Sequence, residues 1–295
     1  MEVGLCSSGT LRALGKKEGY EALKNAGFTV IDNGEPWDAY APFSGVYTLS
    51  GGAFEEHFYN EREMIDAAGL KCVQTHAPFP TYPDPRAGVD RAEEYRFMID
   101  ALKKSFRATQ ILGAKYEVVH CAMRCGWGED DDPKKTLAMN LELFSELLPE
   151  ARKAGVTIAL ENMPLGRIPS ALPESLIEMI DRMNDEYFAA CLDTGHANVT
   201  GVAPGKYVRL LGDRLKVLHV HDNDGKNDQH RAPFTGTIDW EDFTSALAET
   251  GFRGVMSLES MFDEKQPKEA VSRVLNGFYR DGVRLADAVE QKRGR

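Results

Sequence analysis

The chain has 295 residues, is 42% hydrophobic and 27% charged, and carries a net charge of −11. That length supports a sizeable core, and the acidic balance argues against a nucleic-acid partner, whose phosphates attract basic surfaces. No window approaches the ~20 apolar residues of a membrane span, and no basic-then-apolar leader opens the chain, so we expect a cytoplasmic protein without a membrane partner. The five cysteines, Cys6, Cys72, Cys121, Cys125 and Cys191, are odd in number and mostly set in apolar runs. They read as reduced thiols rather than a disulfide framework, and "HCAMRC" holds one cysteine pair without the second that a structural metal site needs.

Eight short apolar runs follow one another along the chain: "EVGLC", "FTVID", "KCVQTH", "YEVVHC", "VTIALEN", "FAACLD", "KVLHVH" and "GVMSLES". Amphipathic segments separate them. After the fourth run, Leu137, Leu141, Phe144, Leu148 and Ala151 share one helical face, with Pro149 expected to kink that helix or mark its last turn. After the seventh, Asp239 is placed as an N-cap and Gly251 as the residue beyond the helix end. Eight strand–helix repeats with no linker and no shift in composition predict one (β/α)8 barrel spanning residues 1–295, an open doubly wound sheet being the alternative. Long insertions follow the second and fourth runs, where barrel enzymes grow their substrate loops.

Histidines and acids recur at the carboxyl ends of these runs: His76, His120, Glu161, Asp193, His221 and Glu259. That is the end of a barrel where active sites lie. By strand alternation Glu161 shares a face with Ala159, Asp193 with Cys191, and Glu259 with Ser257, so the three carboxylates should converge on one interior mouth. Three carboxylates brought together would each either protonate or need a positive partner, and no Lys or Arg occupies these strand ends. A divalent metal answers the need, and a mixed oxygen and imidazole set suits Mn²⁺, Zn²⁺, Co²⁺ or Mg²⁺. Capping of the following helices would account for one or two of the acids, and less well for all.

The stretches "THAPF", "VVHCA", "IALENMP", "CLDTGHAN", "HVHDNDGKNDQH", "PFTGTIDW" and "SLES" together resemble the xylose-isomerase-like barrel superfamily of sugar (phosphate) isomerases and epimerases, which shares its fold with endonuclease IV. Nearly the whole chain takes part in the resemblance. Carried over residue by residue, it implies one metal held by Glu161, Asp193, His221 and Glu259, with Glu161 and Glu259 doubling as catalytic acid and base on opposite faces of a bound sugar. His221 is preferred to His219 because the family histidine is followed at the third position by Asp; His219 is expected to be a buried supporting residue. His196 would contact substrate oxygens.

The resemblance also implies a fuller reading. The nine ligand positions of a trinuclear endonuclease IV site can be filled by adding His76 and His120 at one metal and His196, Asp228 and His230 at another. These five residues are thus assigned to substrate binding, with additional metals through them as the alternative. Two departures stand out. Asn227 replaces the Arg of epimerases acting on free ketoses, and Phe234 stands where the "PGxGxID" turn has Gly. Trp37, Tyr40, Phe79 and Trp127 are candidates to pack on the apolar face of a sugar.

The resulting expectation is a metal-dependent isomerase or epimerase of a keto sugar, sugar phosphate or related polyol, working through an enediolate on a small-molecule carbohydrate. Keto-polyol dehydration on the same site, a trinuclear phosphodiester hydrolase, and a catalytically silent carbohydrate-binding or subunit barrel are the alternatives. A homo-oligomer is compatible with the chain.

Overall fold

The computed structural model describes residues 1–82, 92–124 and 132–294. Eight strands form one parallel sheet: β1 (Val3–Cys6), β2 (Val30–Asn33), β3 (Lys71–His76), β4 (Tyr116–Val119), β5 (Thr157–Glu161), β6 (Phe188–Asp193), β7 (Leu215–His219) and β8 (Met256–Leu258). Each pairs with its neighbours in chain order, and β8 returns to β1 through Val3↔Met256 and Leu5↔Leu258. A parallel bridge from Val220 to Leu258 joins β7 to β8 and closes the ring. The expected (β/α)8 barrel is the fold, and the open sheet is excluded by that closure.

The strands read as near-continuous apolar runs because both of their faces are buried. Val118, Ala159, Cys191 and Val217 fill the barrel interior with Tyr116 packed beneath them. Ile158, Leu160, Leu192 and Leu218 point the other way, into the layer covered by helices. Among the described residues eight main helices supply that cover: α1 (Lys16–Ala26), α2 (Gly52–Ala67), α3 (Ala92–Leu112), α4 (Pro133–Ala154), α5 (Pro173–Met183), α6 (Pro204–Leu211), α7 (Trp240–Glu249) and α8 (Lys268–Arg293).

Helix punctuation follows the sequence signals. Asp239 caps α7 by accepting from the Asp242 amide at 3.0 Å, and Gly251 takes the left-handed conformation (φ 69°) just past its end. Pro149 lies inside α4, which continues to Ala154, so it marks the region of the last turns rather than a stop. Cys6, Cys72, Cys121 and Cys191 are free thiols, three of them buried; Cys125 lies outside the described residues.

One outward-facing strand residue is unusual. Glu117 of β4 is fully buried between the sheet and α3 with both carboxyl oxygens unpartnered, and burial pushes its carboxyl up to about 8.

Candidate active site and metal centre

The carboxyl ends of β3 to β8 bring the expected residues together. Glu161 is shared by overlapping groups: with His76 and His120 in one, and with Asp193, His219 and Glu259 in the next, where Cys191 also approaches Glu161 and His219. A third group holds His196, His221, Asp228 and His230. A cavity of about 290 Å³ lies over them, lined by His76, His120, Glu161, His196, Asp228, His230 and Glu259. A larger cavity of about 960 Å³ opens at the other end of the barrel beside Lys71, Lys115 and Lys216. No cluster of His and acids reaches it among the described residues, so the chemistry belongs to the smaller one.

The motifs explain themselves locally. Asp193 ends β6 and caps the short helix Thr194–Val199, its Oδ1 accepting from the His196 amide at 2.7 Å. Its Oδ2 stays free of that cap and lies 3.0 Å from His221 Nε2. The capping explanation therefore holds for Asp193 without removing it from the site. Thr194 ties β6 to the chain beyond β7: its hydroxyl donates to the His221 carbonyl (2.7 Å) and accepts from the His221 amide (3.0 Å). Gly195 must lack a side chain, because a Cβ there would stand 1.9 Å from His221 Cε1. Asn162, just past Glu161, donates to the Asp193 carbonyl and accepts from its amide at 2.9 and 2.7 Å, locking β5 to β6.

The two histidines of "HVH" differ from the expected assignment. His219, read from sequence as a supporting residue, sits among the carboxylates, with Nδ1 2.9 Å from Glu161 Oε1 and 3.5 Å from Glu259 Oε2. Its Nε2 meets Asp32 Oδ2 at 2.8 Å, and Gln74 donates to the same oxygen at 3.0 Å. His221 lies on the far side of Asp193, stacked on His230 with ring centroids 4.0 Å apart. The cause is position: His219 is the last residue of β7 and faces the interior, whereas His221 follows the Val220 bridge to β8. Asp32, Gln74, Asn162 and His219 are the participants that sequence reading passed over or placed elsewhere. For Asp32 the signal was available, since it ends the run "FTVID" as the chosen acids end theirs.

The remaining assignments fall as follows. His76 and His120 approach each other through their Nε2 atoms at 3.1 Å, and His120 Nε2 is 2.8 Å from Glu161 Oε2. Asp228 lies 3.1 Å from His196 Nε2 and 3.3 Å from His230 Nε2. His230 holds a left-handed backbone (φ 45°), uncommon for a residue with a side chain and typical of functional positions; its Nδ1 lies 2.9 Å from the Glu259 carbonyl. Phe234 also sits at positive φ (69°), a conformation for which Gly is the easy choice, and is held by Trp240 and by the Arg284 guanidinium 3.9 Å over its ring. Asn227 is exposed and bonded to Asp224 rather than turned into the cavity. Trp37 and Phe79 line the cavity, Tyr40 instead packs on Tyr47 and Phe97 as a loop anchor, and Trp127 lies outside the described residues.

Electrostatics separate the two glutamates. Burial works to raise Glu161, but His219 and His120 outweigh it and hold the carboxyl well below the usual range. Glu259 is raised by burial, with nearby Glu161 and Asp193 adding to it against His219 and His230. Burial would lower His196, yet Asp193 and then Asp228 lift it to about 10. For His120 burial wins and takes it down to about 4.

Comparisons with known proteins agree with this fold. Residues 20–280 match the family described as "Xylose isomerase-like TIM barrel". Uncharacterized protein y4fM of Sinorhizobium fredii is 26% identical over 274 residues, 84% of this chain and 82% of that one. Probable endonuclease 4 of Staphylococcus aureus is 28% identical over 228 residues, covering 65% and 73%. Among solved structures, a D-tagatose 3-epimerase-like protein superposes with TM-score 0.72 at 20% identity, covering 99% of both chains. The IolI protein with a bound zinc atom superposes with TM-score 0.71 at 18% identity, again over 99% of both. No helix among the described residues is long and apolar enough to cross a membrane. The chain belongs to the xylose isomerase-like TIM barrel family.

Proposed function

We propose that the protein is a divalent-metal-dependent isomerase or epimerase acting on a keto sugar or related polyol. One observation carries the reading: Glu161 from β5 and Glu259 from the end of β8 reach one buried imidazole, His219, and open into one cavity. A base and an acid on different walls of a single cavity are what proton removal and return next to a carbonyl require. The solved D-tagatose 3-epimerase-like protein and an L-ribulose 3-epimerase of similar fold support the same class.

The residues fit a metal. His221 Nδ1 is buried without a hydrogen-bond partner, and three carboxylates converge whose ion pairs, among the described residues, are all with histidines. Glu161, Asp193 and Glu259, with His221 or His219, would hold the ion, which supplies Lewis acidity toward the substrate's carbonyl and hydroxyl oxygens when bound. The protein's own residues do the rest. Glu161 takes the proton from the carbon next to the carbonyl, and Glu259 returns one from its own wall. His76, His120 and His196 fix the substrate's oxygens.

The test is deuterium uptake. Metal-loaded protein in D₂O with a panel of ketopentoses, ketohexoses and inososes should label the carbon next to the carbonyl of at least one, and should not nick abasic-site DNA. A second reading, phosphodiester hydrolysis of the endonuclease type, is favoured by the histidine–acid groups that flank the central carboxylates and by the curated relative of that name. The charge of −11 opposes it, since a polyanion would have to approach an acidic protein. Efficient nicking with no exchange into any carbohydrate would decide for it.

A further inference from the structure

Resting on that reading, we propose that the substrate is amphipathic: a sugar ring that carries an apolar, aromatic or alkyl substituent, as in the glycoside of a ring-ketone sugar, and carries no phosphate. The cavity has two unlike ends. Its floor is the histidine and carboxylate cluster, while Leu5, Trp37, Phe79, Met163, Met261 and Phe262 supply apolar walls.

The aromatic part of that wall is a ladder. Phe79 stacks on His120 with centroids 4.4 Å apart and an angle of 15°, and on Trp37 at 5.3 Å and 29°. With His120 and Trp37 stacked on it, Phe79 is poorly placed to receive a sugar ring face-on. It extends the apolar surface outward from His120, which touches Glu161, to Trp37. A ring held at Glu161 and Glu259 occupies the inner rung, and the outer rung is matched by whatever the ring carries.

Two further observations fix the character of that substituent. Phe79 and Met261 remain 43% and 56% exposed although they line the cavity, so apolar surface at the rim is left for a ligand to cover. Among the described residues the cavity's one Lys or Arg is Arg12, and it is already committed, 3.0 Å from Asp38 and 2.8 Å from Glu264. Among the described residues, a phosphate would meet a neutralised guanidinium and the carboxylates around it. An apolar group meets a wall that suits it. A glycoside's anomeric carbon is locked as an acetal, so the carbonyl that acidifies the neighbouring C–H must be on a ring carbon.

The experiment uses methyl and phenyl β-glucosides in their ring-ketone forms, together with a free ketohexose and its phosphate ester. Binding is measured by calorimetry and proton exchange by deuterium uptake on metal-loaded protein. The phenyl compound should bind at least ~10-fold more tightly than the methyl compound, and the phosphate ester most weakly of all. Trp37→Ala should shrink the phenyl-to-methyl ratio toward one. Met261→Ser, at a side chain already largely exposed, should shrink it in part and serves if the first variant does not fold. Equal affinity for phenyl and methyl forms, or preference for the phosphate ester, overturns the inference while exchange into the sugars leaves the isomerase reading standing. Preferential phenyl binding without exchange into any sugar sustains the inference about the pocket and removes the isomerase reading.

Discussion

Glu117 offers a test of the fold's energetics that is independent of catalysis. Its carboxyl is completely buried between β4 and α3, and its pKa is pushed up to about 8 from 4.5. The folded protein therefore keeps this proton to about pH 8, whereas the unfolded chain releases it near pH 4.5. Between those values unfolding releases a proton, so Glu117's contribution is fully present below pH 4.5 and is lost as pH rises toward 8. A separation of about 3.5 units corresponds to roughly 5 kcal/mol at 1.36 kcal/mol per unit. Glu117→Gln keeps the shape and removes the titration. Denaturant unfolding of both proteins at pH 5, 6.5 and 8, with metal removed so that ion binding does not contribute, isolates the effect, because every other titrating group cancels in the difference. Relative to wild type, the variant should gain stability steadily from pH 5 to 8, by several kcal/mol in all. Parallel stability curves would show that the buried carboxyl is not protonated at neutral pH, and the account of this layer would be wrong.

At the site, Glu161→Gln and Glu259→Gln should each lower deuterium exchange into the substrate by at least ~10²–10⁴-fold while circular dichroism stays unchanged; a variant retaining most of the exchange removes that residue's assignment. Gly195→Ala places a Cβ 1.9 Å from His221 Cε1 and should displace that ring, which elemental analysis would register as weakened metal retention in a folded protein. Chelation should abolish exchange, with Mn²⁺ or Co²⁺ restoring it better than Ca²⁺, because a carboxylate–imidazole set suits smaller transition-type ions; full exchange after complete metal removal would contradict the metal centre. Replacing both Asp228 and His230 by Ala should leave metal at the Glu161–Asp193–Glu259 cluster and raise KM, whereas loss of one ion from a protein that bound three would favour the hydrolase reading.

The barrel was legible because each run of β-branched and apolar residues stops at a polar one, and the same stops marked the mouth of the cavity. "KCVQTH" and "FAACLD" coincide with β3 and β6 residue for residue. Alternation placed Ala159 and Cys191 inside, as the interior cluster shows. What periodicity could not supply was depth. His219 and His221 share a face by the rule of two, so pattern alone cannot say which reaches the carboxylates. The choice depends on β7 ending at His219 and on the Val220 bridge that follows. Nor could composition show that Tyr40 belongs to a loop's own aromatic packing while Trp37, three residues earlier, faces the cavity. That difference comes from how the insertion folds against the barrel, where its own Tyr47 and Phe97 of α3 flank Tyr40.

The opposition between a structural and a chemical role for strand-end acids dissolves at Asp193. One oxygen caps a helix and the other faces His221, so the backbone amide that needs an acceptor also orients the carboxylate for the site. Asp222 makes the contrasting case. It is equally buried and follows His221 directly, yet it accepts from the amides of Asn223, Gly236 and Ile238 and from the Trp240 indole. All its lone pairs are spent shaping the "PFTGTIDW" turn, and none remains for a ligand. The acid that matters chemically is the one with an oxygen turned to the histidine cluster rather than to backbone amides. Asp193 Oδ2 faces His221 and Glu161 Oε2 faces His120, at 3.0 and 2.8 Å. For the same reason, loss of Asp193 would unsettle helix and ligand together. The two glutamates, which cap nothing, are where substitution separates chemistry from fold.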